Sequence, residues 1–130
     1  MPDLPATSLD ETLGFEAFER EGDEVARARL PVTDAIKQPF GIVHGGAYAT
    51  LAESLASRAT YEAVKPDSIA MGQANDCTFI RPIREGTVHA VGRARQRGRT
   101  TWVWDVEMTD EEGRLCALSR LTIAVRPLQR

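Results

Sequence analysis

From Gly45 to Val64 the chain reads "GGAYATLAESLASRATYEAV". Tyr48, Leu51, Leu55 and Ala59 recur at helical spacing and fall near one face. Ala47, Ala49, Ala52, Ala56 and Ala63 fill most of the remainder. Lys65-Pro66-Asp67 ends the pattern, because proline cannot continue a helix. Such a helix is roughly 30 Å long at 1.5 Å per residue. Small residues nearly all round let other elements approach it closely. The pattern therefore predicts a central helix wrapped by something else.

Strands can supply the wrapping. Residues 15–21 and 24–32 flank Gly22-Asp23 and read as a hairpin, with Ala26, Ala28 and Leu30 alternating with Arg27 and Arg29. Residues 68–80, 87–96, 101–109 and 115–125 form four more strand-like runs. In the third, Trp102, Trp104, Val106 and Met108 share a face. In the fourth, Leu115, Ala117, Leu121, Ile123 and Val125 do. Short connections favour antiparallel neighbours. Ser8 with Glu11 fits a capping box and Gly14 a stop, so a short helix is expected over 8–13. The expectation is an α+β domain over residues 1–130, with an antiparallel sheet curled around one long helix and residues 1–6 flexible.

Composition narrows the function. The net charge of −3 over 130 residues gives no footprint for nucleic acid or an anionic membrane. No apolar run approaches the ~20 residues of a membrane span, and "MPDLPATSLDE" lacks a signal pattern, so the cytoplasm is the expected location. Cys77 and Cys116 lie in strand-like runs outside any CxxC pair and are expected to be free, packed thiols. HExxH, GxGxxG and P-loop motifs are absent, and no metal or cofactor is expected.

Glu53 stands against this background. It sits beside Leu51, Ala52, Leu55 and Ala56, where an enclosed helix leaves little solvent-facing stripe. A buried or half-buried carboxylate is costly without a partner, and such groups concentrate at functional sites. The plain alternative is a narrow exposed stripe. Gly45 and Gly46 open the helix, where unpaired N–H groups and the positive dipole end suit a carbonyl oxygen becoming an oxyanion. Glu53 is eight residues on, roughly 12 Å along the axis. Reacting groups must converge within about 3–3.5 Å. One helix cannot aim both groups at one carbon, whereas two antiparallel copies can, which implies a site shared across a two-fold dimer. Ser57, one turn after Glu53, can hold the acid or a water, or simply fill the helix surface. Gln38 alone carries no message.

Together, "QPFGIVHGGAYATLAESLAS", "FIRPIREGTVHAVGRA" and "GRTTWVWDVEMTDEEGRLCALSRLTIAV" resemble the hotdog-fold acyl-CoA thioesterases over about residues 15–125. The match is nearest to the branch acting on aryl-CoA and aryl-carrier-protein thioesters. The resemblance implies Glu53 as nucleophile or as general base on water, and the Gly45 N–H as the donor polarising the thioester carbonyl. It implies Gln38 and His44 as side chains that position thioester or water, with helix capping the alternative for His44, and Ser57 as helper to the acid. Gly72, Phe79, Ile80, Arg81 and Pro82, with Gly98, Arg99, Thr100 and Thr101, match its contacts to substrate and coenzyme A. Arginines beside hydroxyls suit phosphate oxygens, although Arg84, Arg97 and Arg99 can equally be solvated turn residues. Coenzyme A enters as part of the substrate, and the expected assembly is a homodimer, within a homotetramer, with shared sites. Thr78 and Phe79 replace polar residues common in the aryl-specific branch, and "FIRP" is nearer the phenylacetyl-CoA thioesterase-like pattern. A hotdog hydratase or dehydratase, or a non-catalytic acyl-CoA binder, are the competing functions. The first wants a second well-placed histidine; the second needs no acid at position 53.

Overall fold

The computed structural model describes residues 8–128; the flexibility expected for 1–6 concerns residues outside that range. The chain runs α1 (Leu9–Leu13), β1 (Glu16–Glu21), β2 (Val25–Pro31), a 3-10 turn (Asp34–Ile36), α2 (Gly45–Val64), β3 (Ser68–Phe79), β4 (Thr87–Arg97), β5 (Thr101–Thr109) and β6 (Leu115–Pro127). Ser8 caps α1 by accepting the Glu11 N–H, and Gly14 closes it at φ 88°. In the described residues the strands form one antiparallel sheet in the order β1-β2-β4-β5-β6-β3.

Alternation along the strands builds the core. Trp104, Val106 and Met108 of β5 are fully buried, with Val88 of β4 and Leu121 and Ile123 of β6 beside them. They pack on Ala47, Tyr48, Leu51, Ala52, Leu55, Ala56 and Ala59 of α2. The Trp104 indole N–H donates to Thr60 Oγ1 at 2.9 Å, and that hydroxyl donates to the Ala56 carbonyl at 2.8 Å, so a polar pair is satisfied inside the apolar layer.

Three expectations need correction. β3 and β4 are joined by a short connection but are not neighbours; β3 pairs with β6 at one edge of the sheet. Residues 80–86 cross the sheet's end instead, tied down where Val43 N–H donates to Ile83 O at 2.8 Å and Val32 N–H to Gly86 O at 2.9 Å. Leu115 leaves its expected face and is 37% exposed, because an irregularity between the Met108 and Thr109 pairings shifts the register and turns both Cys116 and Ala117 inward. The sheet also covers α2 incompletely. Its edge strand β3 ends at one flank of the helix, and Glu53 is exposed there rather than buried, so the plain alternative of a solvent-facing stripe is the one realised.

Candidate active site

The loop before α2 is shaped by its own polar groups. The Phe40 N–H donates to Gln38 Oε1, and Gly41 N–H to Gln38 O at 2.9 Å. Lys37 and Val43 bridge the loop's two arms. His44 is the N-cap of α2. Its backbone N–H donates to Ile36 O at 2.8 Å, and its Nδ1 accepts the Gly46 N–H at 2.8 Å. The capping alternative for His44 is thus realised. With Nδ1 accepting, the neutral ring carries its proton on Nε2. Among the described residues the Gly45 N–H finds no acceptor, so it is the free donor at the positive end of the helix.

Gly45 opens into a cleft of about 280 Å³ lined by Gln38, Ile42, Val43, Tyr48, Phe79, Ile80, Arg81 and Pro82. The Phe79 ring lies across Gly45, and a Cβ added there would stand 2.5 Å from it. Phe79 and Tyr48 pair with ring centroids 6.0 Å apart. The cleft lining is apolar apart from Gln38 and Arg81 and contains no carboxylate.

Glu53 lies along the helix at its open flank, against Gly72 of β3. A Cβ on Gly72 would be 2.7 Å from the Glu53 carboxyl. A side chain at 72 would push the carboxyl out of the space it occupies beside β3. Ser57 is half-buried one turn on, and no hydrogen bond joins it to Glu53 among the described residues.

The profile of the Thioesterase superfamily matches residues 40–117, from the loop before α2 into β6. The chain belongs to the thioesterase superfamily. A 1,4-dihydroxy-2-naphthoyl-CoA hydrolase of Escherichia coli K12 is 42% identical over 108 residues, covering 83% of this chain and 79% of that one. The proofreading thioesterase EntH of Cronobacter turicensis is 39% identical over 125 residues, 94% of this chain and 90% of its own. A solved mutant thioesterase of Pseudomonas aeruginosa superposes with a TM-score of 0.89 at 41% identity, covering 94% of this chain and 88% of that one. The fold is the hotdog fold, and the protein is a thioester hydrolase.

In this thioesterase the expected site residues fall into three groups. Gln38, Gly45, Phe79, Ile80, Arg81 and Pro82 share the cleft; His44 caps the same helix end. Glu53, Ser57 and Gly72 lie at the open flank. Gly98, Arg99, Thr100 and Thr101 form the β4–β5 turn at the opposite end of the sheet, where the Thr100 carbonyl accepts from Val125 N–H and from Arg126. Between Ala70 and Phe79 alone β3 spans roughly 30 Å, so one chain does not bring the turn to its own cleft. Arg97 is paired with Glu24 at 3.2 Å and Arg84 reaches the Phe40 carbonyl at 3.3 Å, whereas no ion pair of Arg99 is recorded among the described residues. Cys77 and Cys116 are free thiols, both pushed up foremost by burial, which keeps them protonated and unreactive. Among the described residues no three His, Cys, Asp or Glu side chains converge as metal ligands would, and no helix is long and apolar enough to cross a membrane.

Two residues of this region carry little signal in the sequence. Asn75 donates its amide to the Ala49 carbonyl at 2.9 Å and accepts from Ser119 Oγ at 2.6 Å; the only hint is an amide at an inward position of a strand. Tyr48 reads as a core aromatic, yet its hydroxyl is buried without a hydrogen-bond partner among the described residues. Burial pushes its pKa up to about 12; the Ile83 backbone, close to the hydroxyl but outside hydrogen-bond geometry, offsets this only in part. The folded chain then holds this proton more tightly than the unfolded chain does. Its contribution to stability is full below pH 10 and is lost as pH rises towards about 12. Tyr48→Phe should therefore be at least as stable as the parent at pH 7 in urea titrations, by up to ~1 kcal/mol, and lose less stability across that alkaline window. A loss above ~1 kcal/mol at pH 7 would mean that the hydroxyl is bonded.

Proposed function

We propose that the protein hydrolyses the thioester of an aromatic or medium-chain acyl-CoA, or of the matching acyl-carrier protein, in sites shared by two copies of the chain. One observation carries the proposal. The free Gly45 N–H faces a cleft with no acid of its own, while Glu53 stands unpartnered at the open flank, roughly 12 Å along the same helix. A two-fold axis near Ala49, midway between them, brings the Glu53 of one copy to the Gly45 of the other. The unpaired edge of β3, with Met71, Phe79 and Ile80 about half exposed, is the surface such a pairing covers. Antiparallel pairing there also carries the Arg99 turn of one copy towards the Arg81 end of the other, where both suit the phosphates of the carrier. Two such dimers form the expected tetramer.

In this site the Gly45 amide stabilises the oxyanion that forms when the thioester carbon is attacked. Glu53 either attacks that carbon itself, giving an anhydride that water then cleaves, or takes a proton from the attacking water. In both routes the C–S bond breaks and the thiolate leaves, to be protonated to the thiol. Gln38 and the Nε2–H of His44 orient the thioester or the water. Phe79 and Tyr48 favour an aromatic acyl group, in keeping with the naphthoyl-CoA named for the Escherichia coli relative. The hydratase alternative lacks its second histidine, since His89 is half-buried on β4 and engages Glu111 at 2.7 Å, away from the cleft.

Thiol release from a panel of aryl and alkyl CoA esters and one aryl-carrier-protein thioester tests the reading. Release confined to aryl and medium-chain esters supports it; no release from any of them removes it. The spatial requirement at Glu53 has its own check. Gly72→Ala puts a methyl where the carboxyl lies, and kcat should fall about ten-fold or more, with melting temperature changed by only a few degrees. Unchanged kcat would detach Glu53 from the space beside Gly72.

A further inference from the structure

We propose that Asn75 is a positioning residue for the Glu53 carboxylate, an inference that rests on the catalytic role proposed for Glu53. β3 runs antiparallel along α2 and meets it at three successive levels. Phe79 lies on Gly45, the Asn75 amide bonds the Ala49 carbonyl, and Gly72 abuts the Glu53 carboxyl. Asn75 is the only polar tie of the three, and it falls midway between the oxyanion donor and the acid.

Its orientation is fixed from both sides. A carbonyl can only accept, so Nδ2 faces Ala49, and Oδ1 is left to accept from Ser119, which is 1% exposed on β6. The Ala49 carbonyl is also the one that takes the Glu53 N–H in the regular helical ladder. Asn75 thus holds the backbone unit from which Glu53 projects and anchors it through β6 to the sheet. Just beyond it, the pairing with β6 slips between Gly72 and Ala74, with Gln73 as the extra residue. That slip puts both Asn75 and Gly72 against the helix, although they are an odd number of residues apart. Without the Asn75 tie, no polar contact among the described residues holds β3 and α2 at this level, and the carboxylate loses its fixed direction.

The test uses the purified full chain and an aryl-CoA ester that the parent cleaves. Asn75→Asp keeps the shape and the acceptor for Ser119 but loses the donor to Ala49. We expect kcat to fall about 10- to 100-fold, KM to stay within about two-fold, and the assembly mass to be unchanged. In a Glu53→Gln background the same change should produce no further loss of residual turnover, because Asn75 acts through the acid. Should Asn75→Asp fail to fold, Asn75→Ser carries the same expectations. Turnover of the folded variant within two-fold of the parent, while Glu53→Gln is inactive, overturns the role of Asn75 alone. Losses that multiply in the double variant overturn it as well, since they indicate an independent structural effect. Parent-like turnover in Glu53→Gln overturns the catalytic role of Glu53 and this inference with it.

Discussion

Glu53→Ala is expected to abolish turnover while leaving the fold and the binding of coenzyme A esters in place. The carboxylate is exposed and without a hydrogen-bond partner among the described residues, so its removal should change stability by no more than ~0.5 kcal/mol. Its expected part in the reaction is large. Loss of a nucleophile or base should lower kcat by about 10³-fold or more, equivalent to ~4 kcal/mol of transition-state stabilisation. The measurement is steady-state thiol release, with ester binding followed by calorimetry. A variant keeping more than about a tenth of the parent kcat, a loss under ~1.4 kcal/mol, would show that Glu53 is not the reacting group.

Mixing two inactive variants should restore activity. Glu53→Ala lacks the acid. Gly45→Val obstructs the amide end, since even a Cβ there meets the Phe79 ring at 2.5 Å. The ring belongs to a side chain of the sheet's edge strand and can shift, so the variant should still fold, and its assembly mass checks that it still pairs. A hybrid dimer holds one site with both defects and one with neither. If chains mix at random and sites act independently, about a quarter of the parent activity returns. Subunit exchange is followed by mass, and each variant alone must stay folded and inactive. Exchange without recovered activity would mean that Glu53 reaches its carbonyl within one chain.

Much of the fold was legible because its signals are local. The period of residues 45–64 and the alternation through Trp102, Trp104, Val106 and Met108 are each carried by neighbouring side chains, and both elements appear with those bounds or within a residue or two. Pairing was less legible, because it depends on which distant strand offers a complementary edge. The alternation of β3 contains nothing that selects β6 over β4. Leu115 was misassigned because a bulge reverses a face without leaving a mark in composition.

The candidate site divides in the same way. Gln38, His44 and Gly45 lie within eight residues of one another, and their convergence at the helix start follows from chain continuity. Phe79, Ile80, Arg81 and Pro82 reach the cleft only because residues 80–86 cross the sheet's end, which their spacing alone does not reveal. For Glu53 the sequence leaves two readings, a buried or half-buried acid and a narrow exposed stripe, because small residues around α2 imply close wrapping without saying which flank stays open. The six strands of the described residues leave one flank bare. The Asn75 bridge depends on contacts 26 and 44 residues away and is visible only in the folded chain.

On the proposed shared site, the unpaired edge of β3 would make concentration a control variable. If each working site takes its amide from one copy and its acid from another, a lone chain folds but does not catalyse. Well below the dissociation constant of the pair, the number of working sites rises with the square of total protein, and specific activity falls in proportion to dilution. Hydrolysis of activated esters is then withheld while the protein is scarce and switched on by abundance alone, with no separate effector.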